Sequence, residues 1–280
     1  MRRLHLLVLA LALLGPAPAF AGDVEACAAR ILRYDDPRAT KGDTFLRMGE
    51  RLLVYGARHS RDPEAAQFAE IDALFQTQQP TLVFFEGPDR GVGADPADAI
   101  RTRGESGYLR FLASRAGAAA RSLEPAPADR VRHLSGRFPA DQVALFFVLR
   151  EATRMRDREG LSGPALDAAV ARMLERAGAM QLLPEAAGTL AGLDALQAAY
   201  ARYWKTPARW QDARSAWFDP VGRTRDGRFL HALNRADSAF RDQWMYRQLA
   251  RAALGGERVM AVVGRNHLFV QADALRCALE

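Results

Sequence analysis

The chain has 280 residues, 49% of them apolar, and a formal net charge of +6. That length and apolar share exclude a disordered chain and leave room for one large α/β domain or two modest ones. Arginines supply most of the positive charge but are interspersed with acidic residues, so nucleic acid is not indicated as a partner.

Residues 1–21 read as a secretory signal peptide: Arg2 and Arg3, then an apolar run from Leu4 to Leu14, then Ala19-Phe20-Ala21 as a cleavage site. The run is too short for a bilayer crossing, which takes roughly 20 residues. Export to the periplasm or beyond is therefore expected, with no stable membrane insertion after cleavage and a single domain over 22–280. In an oxidising compartment Cys27 and Cys277, near opposite ends of the mature chain, are expected to pair. A redox or zinc site built from two isolated thiols is disfavoured.

Further along, "RLLVYGA" and "TLVFFEG" are short apolar runs bounded by turn residues, the pattern of buried strands. Between them Asp62-Pro63 signals a helix start, and Phe68, Ile71, Leu74 and Phe75 form a stripe at helical spacing. A helix from about Tyr108 to Arg115 leads to a shorter strand, "AARSLEP". From Pro139 to about Trp204 helical stretches alternate with Gly and Pro breaks. A helix from about Asp237 to Leu254 precedes the strand "RVMAVVG", and a short helix carrying Cys277 closes the chain. The fold class expected is α/β, a mainly parallel or mixed central sheet with flanking helices and a large helical insertion over about 139–235.

Two segments, "VYGARH" and "VVGRNH", repeat one design: an apolar strand, then Gly-x-x-His, at Gly56 to His59 and at Gly264 to His267. Ligands of open parallel sheets gather outside the carboxyl ends of the strands. His59 and His267 fall there, as do Glu86 after "LVFF" and Glu124 after "RSL", so the four could converge on one cleft. Gly56 and Gly264 are expected to let the backbone turn sharply and a ligand approach closely. His133 and His231 lack a preceding glycine turn and read as surface or structural. "GPDRGVG" lacks the lysine of a phosphate loop and reads as a lip of the cleft. No serine or cysteine stands in a nucleophile elbow.

The paired Gly-x-x-His motifs with a glutamate on each intervening strand resemble the TraB, PrgY and GumN family, which includes the TIKI-type proteases. More distantly they are similar to the erythromycin esterases and to the ChaN-like haem-binding lipoproteins. The resemblance rests on Gly56, His59, Glu86, Glu124, Gly264 and His267, and adds an arginine on the helix before the last strand, here Arg241. The adjacent Asp242 could equally be the inward residue. The chain departs from the commonest family pattern at Arg58 and in "GRNH".

What the resemblance implies is an exported hydrolase cutting a peptide or a small ester, with water activated in one of two ways. His59, Glu86 and His267 could hold a divalent ion of the zinc, manganese or cobalt class, or a histidine could act as general base without metal. In the second scheme Glu86 or Glu124 orients the imidazole and Arg241 stabilises the oxyanion. The alternatives are a haem- or iron-binding module in the ChaN manner, or an interaction protein with a decayed site.

Overall fold

The computed structural model describes residues 23–179, 190–222 and 224–280; the expected signal peptide lies outside the described residues. In chain order the elements are α1 (Val24–Cys27), β1 (Phe45–Met48), β2 (Leu52–Ala57), α2 (Gln67–Gln78), β3 (Leu82–Phe85), α3 (Pro96–Ala116), β4 (Ala119–Ser122), α4 (Pro127–Ser135), α5 (Ala140–Glu159), α6 (Gly163–Ala179), α7 (Leu193–Tyr203), α8 (Leu230–Leu254), β5 (Val259–Gly264) and α9 (Arg265–Leu279). The five strands form one sheet in the order β1-β2-β5-β3-β4. β1 runs antiparallel to β2, and the other pairings are parallel. The chain is thus an α/β protein with a mixed, mostly parallel sheet.

Strands covered on both faces need apolar side chains pointing both ways, and β2, β3 and β5 are buried almost throughout. Alternate residues separate into two cores. Leu53, Tyr55, Val83, Met260 and Val262 pack with Phe68, Ile71 and Phe75 of α2 and Leu109 of α3. Leu52, Val54, Leu82, Phe84, Val259 and Ala261 pack with Met245 and Leu249 of α8 and Leu275 of α9. Phe84 is 2% exposed, and its truncation to Ala is expected to cost ~3–5 kcal/mol. A third core, drawn from Leu134 to Leu233, belongs to the helical layer of α4 to α7 and the start of α8.

A disulfide joins Cys27 to Cys277 and so ties the N-terminal arm to α9. The arm is further held by the Tyr246 hydroxyl donating to the Val24 carbonyl at 2.9 Å and the Leu32 N–H donating to the Val270 carbonyl at 2.9 Å. No helix among the described residues is long and apolar enough to cross a membrane.

Several boundaries differ from expectation. Asp62-Pro63 opens a turn, and α2 starts only at Gln67. α3 begins at Pro96, capped by the Asp95 side chain on the Asp98 N–H at 2.7 Å, well before Tyr108. α8 begins at Leu230, not Asp237. β1 has no counterpart among the expected strands: only Leu46 of its four residues is buried, as befits an edge strand.

Candidate functional site

The four parallel strands end at one edge of the sheet. His59 lies two residues beyond β2, Gly264 ends β5, Glu86 follows β3 directly and Glu124 lies two residues beyond β4. Across that edge the order is therefore His59, Gly264 with His267, Glu86, Glu124. Arg241, from α8, lies beneath them.

Arg241 is 4% exposed and gathers both glutamates. Its Nη2 donates to Glu86 Oε1 at 2.8 Å, its Nε donates to Glu124 Oε2 at 2.9 Å, and Nη2 also donates to Glu124 Oε1. A guanidinium fork against a carboxylate is among the strongest charge-assisted pairs, and it is what permits two carboxylates to lie side by side away from water. Burial opposes ionisation of Glu86, but His267, Arg241 and His59 outweigh it and hold its carboxyl well below the usual range. Burial acts the same way on Glu124, and there Arg241 prevails and lowers it. Burial disfavours the Arg241 charge, yet Glu124 and Glu86 hold it well above its usual range.

Glycine at 264 has a concrete reason. Its N–H donates to Glu86 Oε2 at 2.6 Å, and a Cβ there would sit 3.1 Å from that oxygen and 3.4 Å from His59 Nε2. A side chain would push carboxylate and imidazole off this corner. Gly264 is also the N-cap of α9, so the Glu86 carboxylate lies at the positive end of a helix. Gly56 has a different role from the one expected. It makes no sharp turn, being inside β2, and a Cβ there would meet Arg265 Cα and Leu268 Cδ2 at 3.0 Å, so it admits the first turn of α9 against the strand.

The two histidines occupy unlike places. His267 stands in the first turn of α9 and is 8% exposed. Its Nδ1 pairs with Asp242 Oδ1 at 2.7 Å, and its Nε2 lies 3.5 Å from Glu86 Oε1 and 3.4 Å from Arg241 Nη1. Asp242 is fully buried and also accepts from the Tyr34 hydroxyl at 2.8 Å and from Gln271 Nε2 at 2.8 Å. Burial works against the charged imidazole, but Asp242 and Glu86 more than reverse it and raise the His267 pKa to about 10. Asp242 and Glu86 thus favour the charged imidazole, whose Nε2 lies between Glu86 Oε1 and Arg241 Nη1. Both Arg241 and Asp242 face inward.

His59 sits in the loop after β2 with its side chain 49% exposed. Its Nδ1 lies 3.6 Å from Oε2 of Glu105, a residue 5% exposed on α3. The other Glu105 oxygen accepts the Ser60 N–H and Gln67 Nε2, and Gln67 braces the same loop by accepting the Arg58 N–H at 3.1 Å and donating to the Arg58 carbonyl at 2.7 Å. α3 is broken one residue earlier: Gly104 has φ 63° and ψ −148°, a conformation open to glycine, and it brings the helix against the Ser60 carbonyl. Glu105, Tyr34 and Gln271 escape a reading of the sequence. The one local signal is Gly104 within a helical segment, a usual mark of a kink or close approach.

An ion held by His59, Glu86 and His267 does not fit this arrangement. His267 Nδ1 is taken by Asp242, its Nε2 lies against a guanidinium, and both Glu86 oxygens are engaged. Metal ligation needs a neutral imidazole with a free lone pair, and the Arg241 charge repels a cation. No group of three or more His, Cys, Asp or Glu side chains among the described residues is placed to hold a metal ion. The same commitments leave His59 as the one accessible imidazole of the site for an iron or haem ligand.

The remaining histidines of the described chain are structural. His133 stacks on Phe240 with ring centroids 4.4 Å apart, and His231 Nε2 lies 2.8 Å from the Thr224 hydroxyl. A hollow of about 290 Å³ lined by Arg47, Glu50, Gln78 and Arg258 lies at the opposite edge of the sheet and shares no residue with the site.

Comparisons with protein-family models, with curated proteins and with solved structures returned no match to this chain.

Proposed function

We propose that the protein is an exported, periplasmic or secreted hydrolase of a peptide or a small ester, in which His59 acts as general base on water. The observation that carries this reading is the His59–Glu105 pair: a half-exposed imidazole whose Nδ1 faces a buried carboxylate and whose Nε2 faces the corner of Gly264 and Glu86. The pair separation of 3.6 Å is one that substrate binding can tighten. A carboxylate behind Nδ1 selects the tautomer that leaves Nε2 free to take a proton, and it stabilises the imidazolium that forms.

The chemistry rests on these positions. His59 Nε2 removes a proton from water as the water oxygen attacks the substrate carbonyl, and the imidazolium later returns that proton to the leaving group. The groups nearest the Gly264 and Glu86 corner, the N-terminus of α9, His267 and the Arg241 guanidinium, are each already paired with a carboxylate, so they fix the polarity of the site around Glu86 rather than offer a free donor. Glu86 and Glu124 hold those groups in register and are not free to act as bases, because Arg241 occupies both. This follows the metal-free scheme of the two that the family resemblance implies, with Glu105 in place of Glu86 or Glu124 as the carboxylate that orients the imidazole. The disulfide between Cys27 and Cys277 supports the oxidising compartment.

The test is a panel of chromogenic esters and a mixed peptide library. His59→Ala is expected to lower turnover roughly 10²–10⁴-fold, the usual contribution of a general base. Glu105→Gln is expected to lower kcat with little change in KM, and Glu105→Asp to restore part of it. Turnover by the wild type that survives His59→Ala would sink the proposal.

A further inference from the structure

Beyond the Glu124 end of the site stands a second charged cluster that the hydrolytic scheme does not use. Asp237 is fully buried on α8, one turn before Arg241, and receives two arginines from the helical layer. Arg130 of α4 grips it in bidentate fashion, Nε to Oδ1 at 2.8 Å and Nη2 to Oδ2 at 2.6 Å. Arg150 of α5 adds Nη1 to Oδ2 at 2.8 Å. Each guanidinium also lies over an aromatic ring, Arg130 at 5.2 Å from the centre of Phe147 and Arg150 at 5.7 Å from that of Phe146.

One aspartate cannot neutralise two guanidinium groups. Arg130 Nη1 and the Nε and Nη2 of Arg150 have no hydrogen-bond partner among the described residues. The arginine side chains remain 18% and 32% exposed, so these donors are held in place yet within reach of solvent. Their field extends to the Glu124 carboxylate. A purely structural clamp on Asp237 would be complete with Arg130 alone. The second arginine adds a charge that Asp237 alone does not balance, and a preformed fork of the kind that suits an oxyanion.

Resting on the proposed hydrolase, we infer that Arg130 and Arg150 form a subsite for an anionic oxyacid group of the substrate, a carboxylate or a phosphate, beyond the Glu124 end of the site and away from His59. The sheet sets the length of that substrate. From β2 to β4 there are three strand spacings of ~4.8 Å, or about 14 Å, while an extended peptide advances ~3.3 Å per residue. The span from His59 to Glu124 thus matches about four residues of extended chain, and the anionic group lies at or beyond the far end of that span.

Calorimetric titration tests this. The probes are acetyl-tetra-alanine as free acid, the same peptide as C-terminal amide, and inorganic phosphate. They are titrated into the wild type, into His59→Ala so that turnover does not intrude, and into Arg150→Gln, in which Asp237 keeps Arg130. If the group is a carboxylate, the acid binds about tenfold more tightly than the amide to wild type and to His59→Ala, and the preference vanishes in Arg150→Gln. If it is a phosphate, acid and amide bind alike, while phosphate binds to wild type and is lost in Arg150→Gln. Should Arg150→Gln fail to fold, as judged by circular dichroism, Arg150→Lys keeps the charge, loses the fork and is expected to lose most of the preference. Failure of wild type to bind either anion at millimolar concentration, or a preference unchanged in the Arg150 variant, would overturn the subsite. An anion preference that depends on Arg150 without any hydrolysis would leave the subsite standing and remove the hydrolase; the reverse pattern would do the opposite.

Discussion

The two Gly-x-x-His segments have the same spacing and opposite fates. After β2 the chain runs into Arg58-His59-Ser60 and a turn at Asp62-Pro63, so its histidine stands in a loop, half exposed, braced from behind by Glu105. After β5 the chain enters α9 at once, because Leu268, Phe269 and Val270 offer an apolar face for burial, and its histidine is sealed between Asp242 and Glu86. A motif that reads as a duplicated ligand pair is thus a half-exposed imidazole in one copy and a buried strut in the other. The residues on the C-terminal side of each histidine decide between the two.

The largest effect should come from the residue that holds the strut side together. Arg241→Met leaves Glu86 and Glu124 without the guanidinium they share, and a loss of ~3–5 kcal/mol in urea unfolding is expected. Near-wild-type stability would mean the carboxylates are not confined as described.

A few kcal/mol should depend on the His267 charge. Its folded pKa of about 10 lies above the ordinary value of 6.5, so the folded state binds the proton more tightly. The stabilisation is fully present below about pH 6.5, where both states are protonated, and drains away as pH rises toward about 10. Stability curves of wild type and His267→Gln should converge across that window; parallel curves would refute the buried imidazolium.

Smaller still, Tyr34→Phe removes one hydrogen bond to Asp242 and should cost ~1 kcal/mol, measured by thermal melting. The least change in stability should come from His59→Ala, within ~0.5 kcal/mol, as for an exposed side chain away from the core. A loss as large as that of Arg241→Met would erase the contrast between the two copies.

How much of this the sequence discloses depends on which forces are local. β2, β3 and β5 are legible because strands buried on both faces must be apolar at every position, and the polar residues just past them are then conspicuous: His59, Glu86 and His267. Glu124 is less conspicuous, because β4 is a short edge strand with no buried residue, and it is read from the stop at Pro125 that follows it. Arg241 and Asp242 are readable only as a pair on one helix, and both turn inward. Glu105 is hidden because "RTRGESGYLR" reads as a solvated helix, and its burial is created by a loop forty-odd positions earlier folding onto it. Tyr34 reaches Asp242 only because the N-terminal arm is fastened to α9 and α8, which no local pattern announces. The edge strand β1 escapes notice since half of it faces water. The expected metal trio is opposed by partners that no local pattern announces, since Arg241 and Asp242 already engage Glu86 and His267.

The most direct test is an NMR titration of the imidazoles, with His267 assigned from the spectrum of His267→Gln. The second-copy histidine should remain a cation at pH 8, losing its proton only near pH 10. A His267 signal that titrates near pH 6.5 would contradict the division of labour between the two motifs.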